Sequence, residues 1–181
     1  MSSAIGVVEL RSISKGYETA DRMLKTSSVH VHHLKPICPG KFLIIISGDT
    51  ADVQEAMDFA KVDANDFRIS DFVLHGVHPE IVEGLKKRYS PQPIDAIGIM
   101  ETSTVSSGIF ALNNALKQSD IHVKRMNLGM AIGGKFLAVF TGSVSDVEQG
   151  MKVILSSMDE KRMVHYSVIP SPAEEIKNHF K

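Results

Sequence analysis

The sequence predicts an α/β (α+β) protein in which one small domain is written twice in tandem. Three observations carry that reading. Ala4-Ile5-Gly6 returns as Ala96-Ile97-Gly98, an offset of 92. At the same offset Glu9 meets Glu101, Gly16 meets Gly108, Leu24-Lys25 meets Leu116-Lys117, and Val29-His30-Val31 meets Ile121-His122-Val123. After a slip of two residues the matches resume: Gly40-Lys41-Phe42-Leu43 on Gly134-Lys135-Phe136-Leu137, Gly48 on Gly142, Asp52-Val53 on Asp146-Val147. Near the end of each copy Pro79 meets Pro172. Self-similarity at a fixed period marks repeated structural units and takes precedence over local readings. The slip places a two-residue insertion in the second copy, between Asn127 and Gly134.

The elements follow in the same order in both copies. Ala4–Leu10 and Ala96–Glu101 are short apolar runs, as expected of buried strands. Helical spacing follows, through Gly16, Ala20, Met23 and Leu24 in one copy and Ile109, Leu112 and Leu116 in the other. Two strands come next: Val29–Leu34 with Phe42–Ser47, then Ile121–Met126 with Phe136–Thr141. The turn between them carries Pro39-Gly40 or Gly133-Gly134. Thr50 and Ser145 are the expected N-caps of a second helix, and Ser145-x-x-Glu148 fits a capping box. Its inner face would hold Val53 and Met57, or Val147 and Met151. A last strand, Ile69–Leu74 or Met163–Ile169, leads to a Pro-opened terminal helix. The polar stretch Lys86-Lys87-Arg88-Tyr89-Ser90-Pro91-Gln92-Pro93 separates the copies. The expected domains are therefore 1–88 and 94–181, joined by residues 89–93.

Composition narrows the function classes. A net charge of −1 and no Trp argue against a bulk electrostatic or stacking surface for nucleic acid. No apolar run reaches the roughly 18 residues of a membrane span. The N-terminus has no basic leader and apolar h-region, and a single cysteine excludes an internal disulfide. The chain reads as cytosolic.

The two copies, AIGVVELRSISKGYETADRMLKTSSVHV and AIGIMETSTVSSGIFALNNALKQSDIHV, resemble the opening of the bacterial microcompartment (BMC) shell domain. The family traits are an apolar strand ending near Glu, a Gly-bearing helix, and Leu-Lys before a β-branched strand. Gly48, Asp49 and Val53 fit the family's Gly-Asp-x-x-x-Val segment, and Val168-Ile169-Pro170 with Pro172 fits its ending. The resemblance spans about residues 4–178. Pro36-Ile37-Cys38-Pro39-Gly40-Lys41-Phe42-Leu43 resembles the iron–sulfur subtype of propanediol-utilisation compartments. The family pattern is broken at Pro170-Ser171-Pro172-Ala173, which lacks its usual Arg and His, and at His75-Gly76-Val77-His78-Pro79.

The resemblance implies two tandem BMC domains, each a small, mostly antiparallel, ferredoxin-like sheet flanked by helices. It implies a homotrimer whose six domains form a pseudohexameric tile, in a lattice with other shell proteins of a compartment in the bacterial cytoplasm. The loop between the second and third strands would border a central pore. Those loops are Ile37, Cys38, Pro39 and Gly40 in copy one, and Gly129 with Met130, Ala131, Ile132, Gly133 and Gly134 in copy two. Lys25 and Lys117 match the family's tile-edge lysine.

Only copy one places a cysteine in this loop. Threefold symmetry would gather three Cys38 thiolates on one axis, enough for three irons of a [4Fe–4S] cluster, one per trimer. The fourth iron would take water, another small ligand or a partner, and an enclosed redox enzyme is an expected electron partner. Amides of the Pro-Gly turn would tune the cluster. The expected role is non-enzymatic: electron transfer across the shell, or cluster supply to an enclosed enzyme. Two other readings remain open, a metal-free metabolite pore and a small α/β regulatory protein that binds a metabolite between its copies.

The remaining candidates read as scaffold. His30 and His32 would share one strand face with His33 opposite, and no further ligands lie nearby in sequence. His122 repeats His30 in a copy without a neighbouring His. Gly133-Gly134-Lys135 lacks the glycine spacing and the Ser/Thr of a phosphate loop. Repetition of Glu9 as Glu101 points to structure rather than acid–base chemistry, and Lys86-Lys87-Arg88 to a solvated face.

Overall fold

A computed structural model describes residues 3–180. Its packing divides the chain into two units. One holds the described residues up to Val77 together with Met130–Gly134; the other holds His78–Gly129 and the residues from Lys135 onward.

The first unit runs β1 (Ser3–Leu10), α1 (Ile13–Thr26), β2 (His30–Ile37), β3 (Lys41–Asp49), α2 (Thr50–Asp63) and β4 (Arg68–His75). The strands form one antiparallel sheet in the order β2-β3-β1-β4. Alternation along β1 and β3 sends Ala4, Val8, Leu10, Phe42, Ile44 and Ile46 into a core with Ala20 and Met23 of α1 and Val53, Ala56 and Met57 of α2. The opposite-facing Ile5, Val7, Leu43 and Ile45 are buried as well. Burial of both faces explains why these central strands read as unbroken apolar runs rather than alternating ones.

The second unit repeats the order with β5 (Ala96–Thr102), α4 (Val105–Gln118), β6 (His122–Leu128), β7 (Phe136–Gly142), α5 (Val144–Ser156) and β8 (Met163–Ile169), in sheet order β6-β7-β5-β8. It also contains α3 (Pro79–Leu85) and ends in α6 (Glu174–His179). Chain order attaches α3 to the first copy, but its packing belongs to the second unit. Val123 N–H donates to Glu80 Oε2 at 2.6 Å, and His122 Nδ1 lies 2.7 Å from Glu80 Oε1. The segment after α3 is tied down along β6. Tyr89 Oη accepts from Met126 N–H at 3.1 Å, and the buried Lys124 ammonium donates to the Ser90 and Gln92 carbonyls.

The repeated glycine has a steric cause. A Cβ on Gly16 would run into the Phe42 ring, and one on Gly108 into the Phe136 ring. Each copy thus lets its first helix close onto the phenylalanine at the start of its third strand, the second residue of β3 and the first of β7. The clasp between the first and second helices differs. In the first unit the Asp63 carboxylate, 8% exposed, accepts from Thr19 Oγ1 at 2.7 Å and pairs with Lys15 at 3.0 Å and Arg22 at 2.5 Å. In the second, Asn114 Nδ2 donates to Ser157 Oγ at 3.3 Å in its place.

Several local expectations are corrected. Asp49, not Thr50, precedes α2 and makes no side-chain cap bond. Ser143 rather than Ser145 caps α5, accepting from Asp146 N–H at 3.2 Å, so the expected Ser145–Glu148 box does not form. The reason is that β7 ends at Gly142, leaving a single residue before the helical turn begins. Pro79 opens α3 as expected, but Pro172 lies ahead of Ala173, the N-cap of α6. A bulge between Val31 and His33 breaks the alternation expected for the histidines. His32 is the extra residue, with Nε2 2.8 Å from Ser47 Oγ. Among the described residues no helix is long and apolar enough to cross a membrane.

Candidate functional site: the two strand-connecting loops

The copies share their scaffold, so chemistry specific to this chain has to come from where they differ. One such difference is the connection between the second and third strands of each sheet. In the first copy the ladder closes at Ile37 opposite Lys41, and Cys38–Gly40 make a tight turn. Gly40 adopts φ +86°, and its N–H donates to the Ile37 carbonyl at 3.1 Å. The Cys38–Pro39 peptide is cis. In the second copy the ladder already ends at Leu128 opposite Phe136, and Gly129–Lys135 bridge the gap. The two-residue insertion expected from the slip lies here.

The side chains of the first turn are unequally disposed. Ile37 is 2% exposed and faces the core, so of the residues assigned to this loop it is an anchor rather than a lining group. Cys38 is half-buried, while Pro39 and Gly40 are exposed. Amide donors are scarce, since Pro39 has no N–H and that of Gly40 is used within the turn. The second loop exposes Met130, Ala131 and Gly133 and buries Gly129 and Gly134. Four of its residues have positive φ: Gly129 at +83°, Ala131 at +61°, Gly133 at +66° and Gly134 at +77°.

The fold brings these loops together. Met130–Gly134 pack within the first unit, although they come from the second copy. Gly134 sits directly against the Cys38–Pro39 turn: a Cβ there would overlap the Cys38 carbonyl oxygen and stand 3.0 Å from the Cys38 carbonyl carbon and 3.4 Å from Pro39 Cδ. A chain thus presents one cysteine-bearing and one cysteine-free loop side by side.

Flanking the loops are two matched ion pairs that the sequence did not announce as pairs. Lys41 Nζ lies 3.8 Å from Glu9 Oε2, and Lys135 Nζ lies 3.1 Å from Glu101 Oε2. The signal was present in the repeat, because both members recur at matching positions; what joins them is the β1–β3 and β5–β7 register. These pairs give Glu9, Glu101 and the Gly-Gly-Lys segment a structural role.

The other expected residues lie elsewhere. Lys25 and Lys117 are exposed in the last turns of α1 and α4, with Lys25 paired to Asp21 at 2.5 Å. Among the described residues no three His, Cys, Asp or Glu side chains are grouped to hold a metal, and the histidines of β2 do not form such a set. Within one chain, Cys38 offers a single thiol donor.

The BMC domain model matches this chain twice, over residues 4–79 and 96–172. The chain is 39% identical over 177 residues to the bacterial microcompartment shell protein PduT of Citrobacter freundii, covering 97% of this chain and 96% of that one. A crystal structure of a microcompartment protein from Desulfitobacterium hafniense is similar with a TM-score of 0.88 at 35% identity, covering 98% of this chain and 99% of the other. A fused, permuted hexameric shell protein of the RMM microcompartment shares the fold at 19% identity, with a TM-score of 0.66 over 86% of this chain and 83% of its own. Two complete copies of the domain and near full-length similarity together assign the chain to the BMC-domain family of bacterial microcompartment shell proteins, as a tandem member.

Proposed function

We propose that three chains assemble into a pseudohexameric shell tile and that their Cys38 thiolates meet on the threefold axis to hold one [4Fe–4S] cluster. The observation that carries this reading is the half-buried Cys38 at the start of an exposed turn, beside a second loop without a cysteine. One thiol per chain is too few for a cluster, which needs Cys ligands on most of its irons; three on an axis are sufficient. A tandem chain allows this, because a trimer shows each kind of loop three times where a homohexamer repeats one loop six times.

When bound, the cluster would supply one-electron chemistry at the pore, for transfer across the shell or for an enclosed redox enzyme. The chain's own residues contribute placement. Ile37 anchors the turn in the core, the Gly40 N–H closes it, and Gly134 of the insertion-bearing loop stands against it. Other shell proteins would be lattice partners, with Lys25 and Lys117 at the tile edges.

Anaerobic purification followed by iron quantification, absorption and EPR spectra tests the proposal. The expected result is about one cluster per trimer, lost in Cys38→Ser while the trimer persists. A colourless, iron-free trimer from anaerobic cells would remove the cluster and leave a metal-free pore.

A further inference from the structure

We infer that Gly134 is a positioning residue for Cys38: the loop of the copy that lacks the cysteine holds the cysteine turn of the other copy in place. The inference deepens the proposed function and rests on it for its purpose, but its geometry does not depend on a bound cluster.

Gly134 is buried and adopts φ +77°, which an L side chain rarely tolerates. The hydrogen occupying its Cβ position points at the Cys38 carbonyl oxygen, so the two loops meet through a Cα–H···O contact. The obstructing atoms are main-chain atoms of Cys38 with the Pro39 ring behind them. None can step aside by a rotamer change, so a methyl group there must move the Cys38 turn, the loop, or both.

Two neighbouring glycines isolate this contact from backbone strain. Gly133 has φ +66° and Gly40 has φ +86°, and neither would bring a Cβ within 4 Å of another residue. An alanine at either position pays the dihedral cost alone. Gly134 shares their positive φ but is buried, and only there would a Cβ meet the Cys38 turn. The contact is made from the longer Gly129–Lys135 connection, the one that carries the two-residue insertion.

The test compares Gly134→Ala with Gly133→Ala and the parent as full-length trimers. Cys38 alkylation by iodoacetamide is measured on cluster-free protein, and iron per trimer after anaerobic reconstitution. The expected result is an alkylation rate changed by about threefold or more in Gly134→Ala alone, with iron content below about half of the parent's. Equal rates in both variants and the parent, or equal changes in both variants, would overturn the inference. Should Gly134→Ala not assemble, deletion of Ala131 and Ile132 withdraws the loop instead. Faster alkylation then supports the buttress, and an unchanged rate refutes it. If the parent takes up no iron, the cluster reading fails while the alkylation arm still decides the positioning role.

Discussion

Lys41 stands 3.8 Å from Glu9, a carboxylate that is 0% exposed, at the point where the cysteine turn enters β3. The second copy repeats the pair as Lys135 and Glu101, but with a Glu101 side chain that is 34% exposed. Solvent around Glu101 screens and replaces its lysine, whereas no solvent reaches the Glu9 side chain. Lys41→Met is therefore expected to destabilise the protein by about 1–3 kcal/mol, and Lys135→Met by less than about 1 kcal/mol. Urea denaturation of both variants checks the ranking, and equal losses would contradict it.

The Asp63 clasp predicts an acid dependence that belongs to the first copy. Burial opposes ionisation of Asp63, but hydrogen bonds from Thr19, Lys15 and Arg22 prevail and hold its carboxyl below the ordinary value of 3.8. A carboxyl depressed in the folded state contributes stability at neutral pH that disappears as pH falls through the folded value. Asp63→Asn should lower the melting temperature at pH 7, and the gap to the parent should narrow below about pH 4. The Asn114–Ser157 contact carries no charge, so Ser157→Ala should show a pH-independent difference.

At Gly16 and Gly108 two effects of opposite sign compete. Alanine in a helix interior is favoured over glycine by about 1 kcal/mol. Against this, the added methyl would overlap the Phe42 or Phe136 ring, and overpacking costs about 1–3 kcal/mol. The steric cost is expected to win, so both Gly16→Ala and Gly108→Ala should unfold at lower temperature than the parent. Pairing Gly16→Ala with Phe42→Leu should recover part of the loss, and calorimetry on the three proteins decides it.

Much of this protein was legible in the residues because the chain states its fold twice. The offset of 92, the slip between Asn127 and Gly134 and the apolar runs located every strand and both principal helices of each copy, and they singled out Cys38. Repetition helps because a position kept in both copies serves the scaffold, and a position that differs is free to serve something else. What failed was local. The caps shifted from Thr50 to Asp49 and from Ser145 to Ser143, and the bulge at His32 undid a simple alternation, since strand ends and bulges are settled by pairing with a neighbouring strand.

The sequence by itself determined the duplicated α/β architecture, the family, and the single cysteine in a Pro-Gly turn. Only the tertiary structure decided the partners. It paired Glu9 with Lys41, joined α3 to the second unit, and laid Gly134 against Cys38 across a separation no local pattern spans. The reason is physical. Periodicity and turn chemistry act between near neighbours along the chain, whereas a contact such as Gly134–Cys38 joins residues far apart in sequence that meet only once the unit holding both has packed.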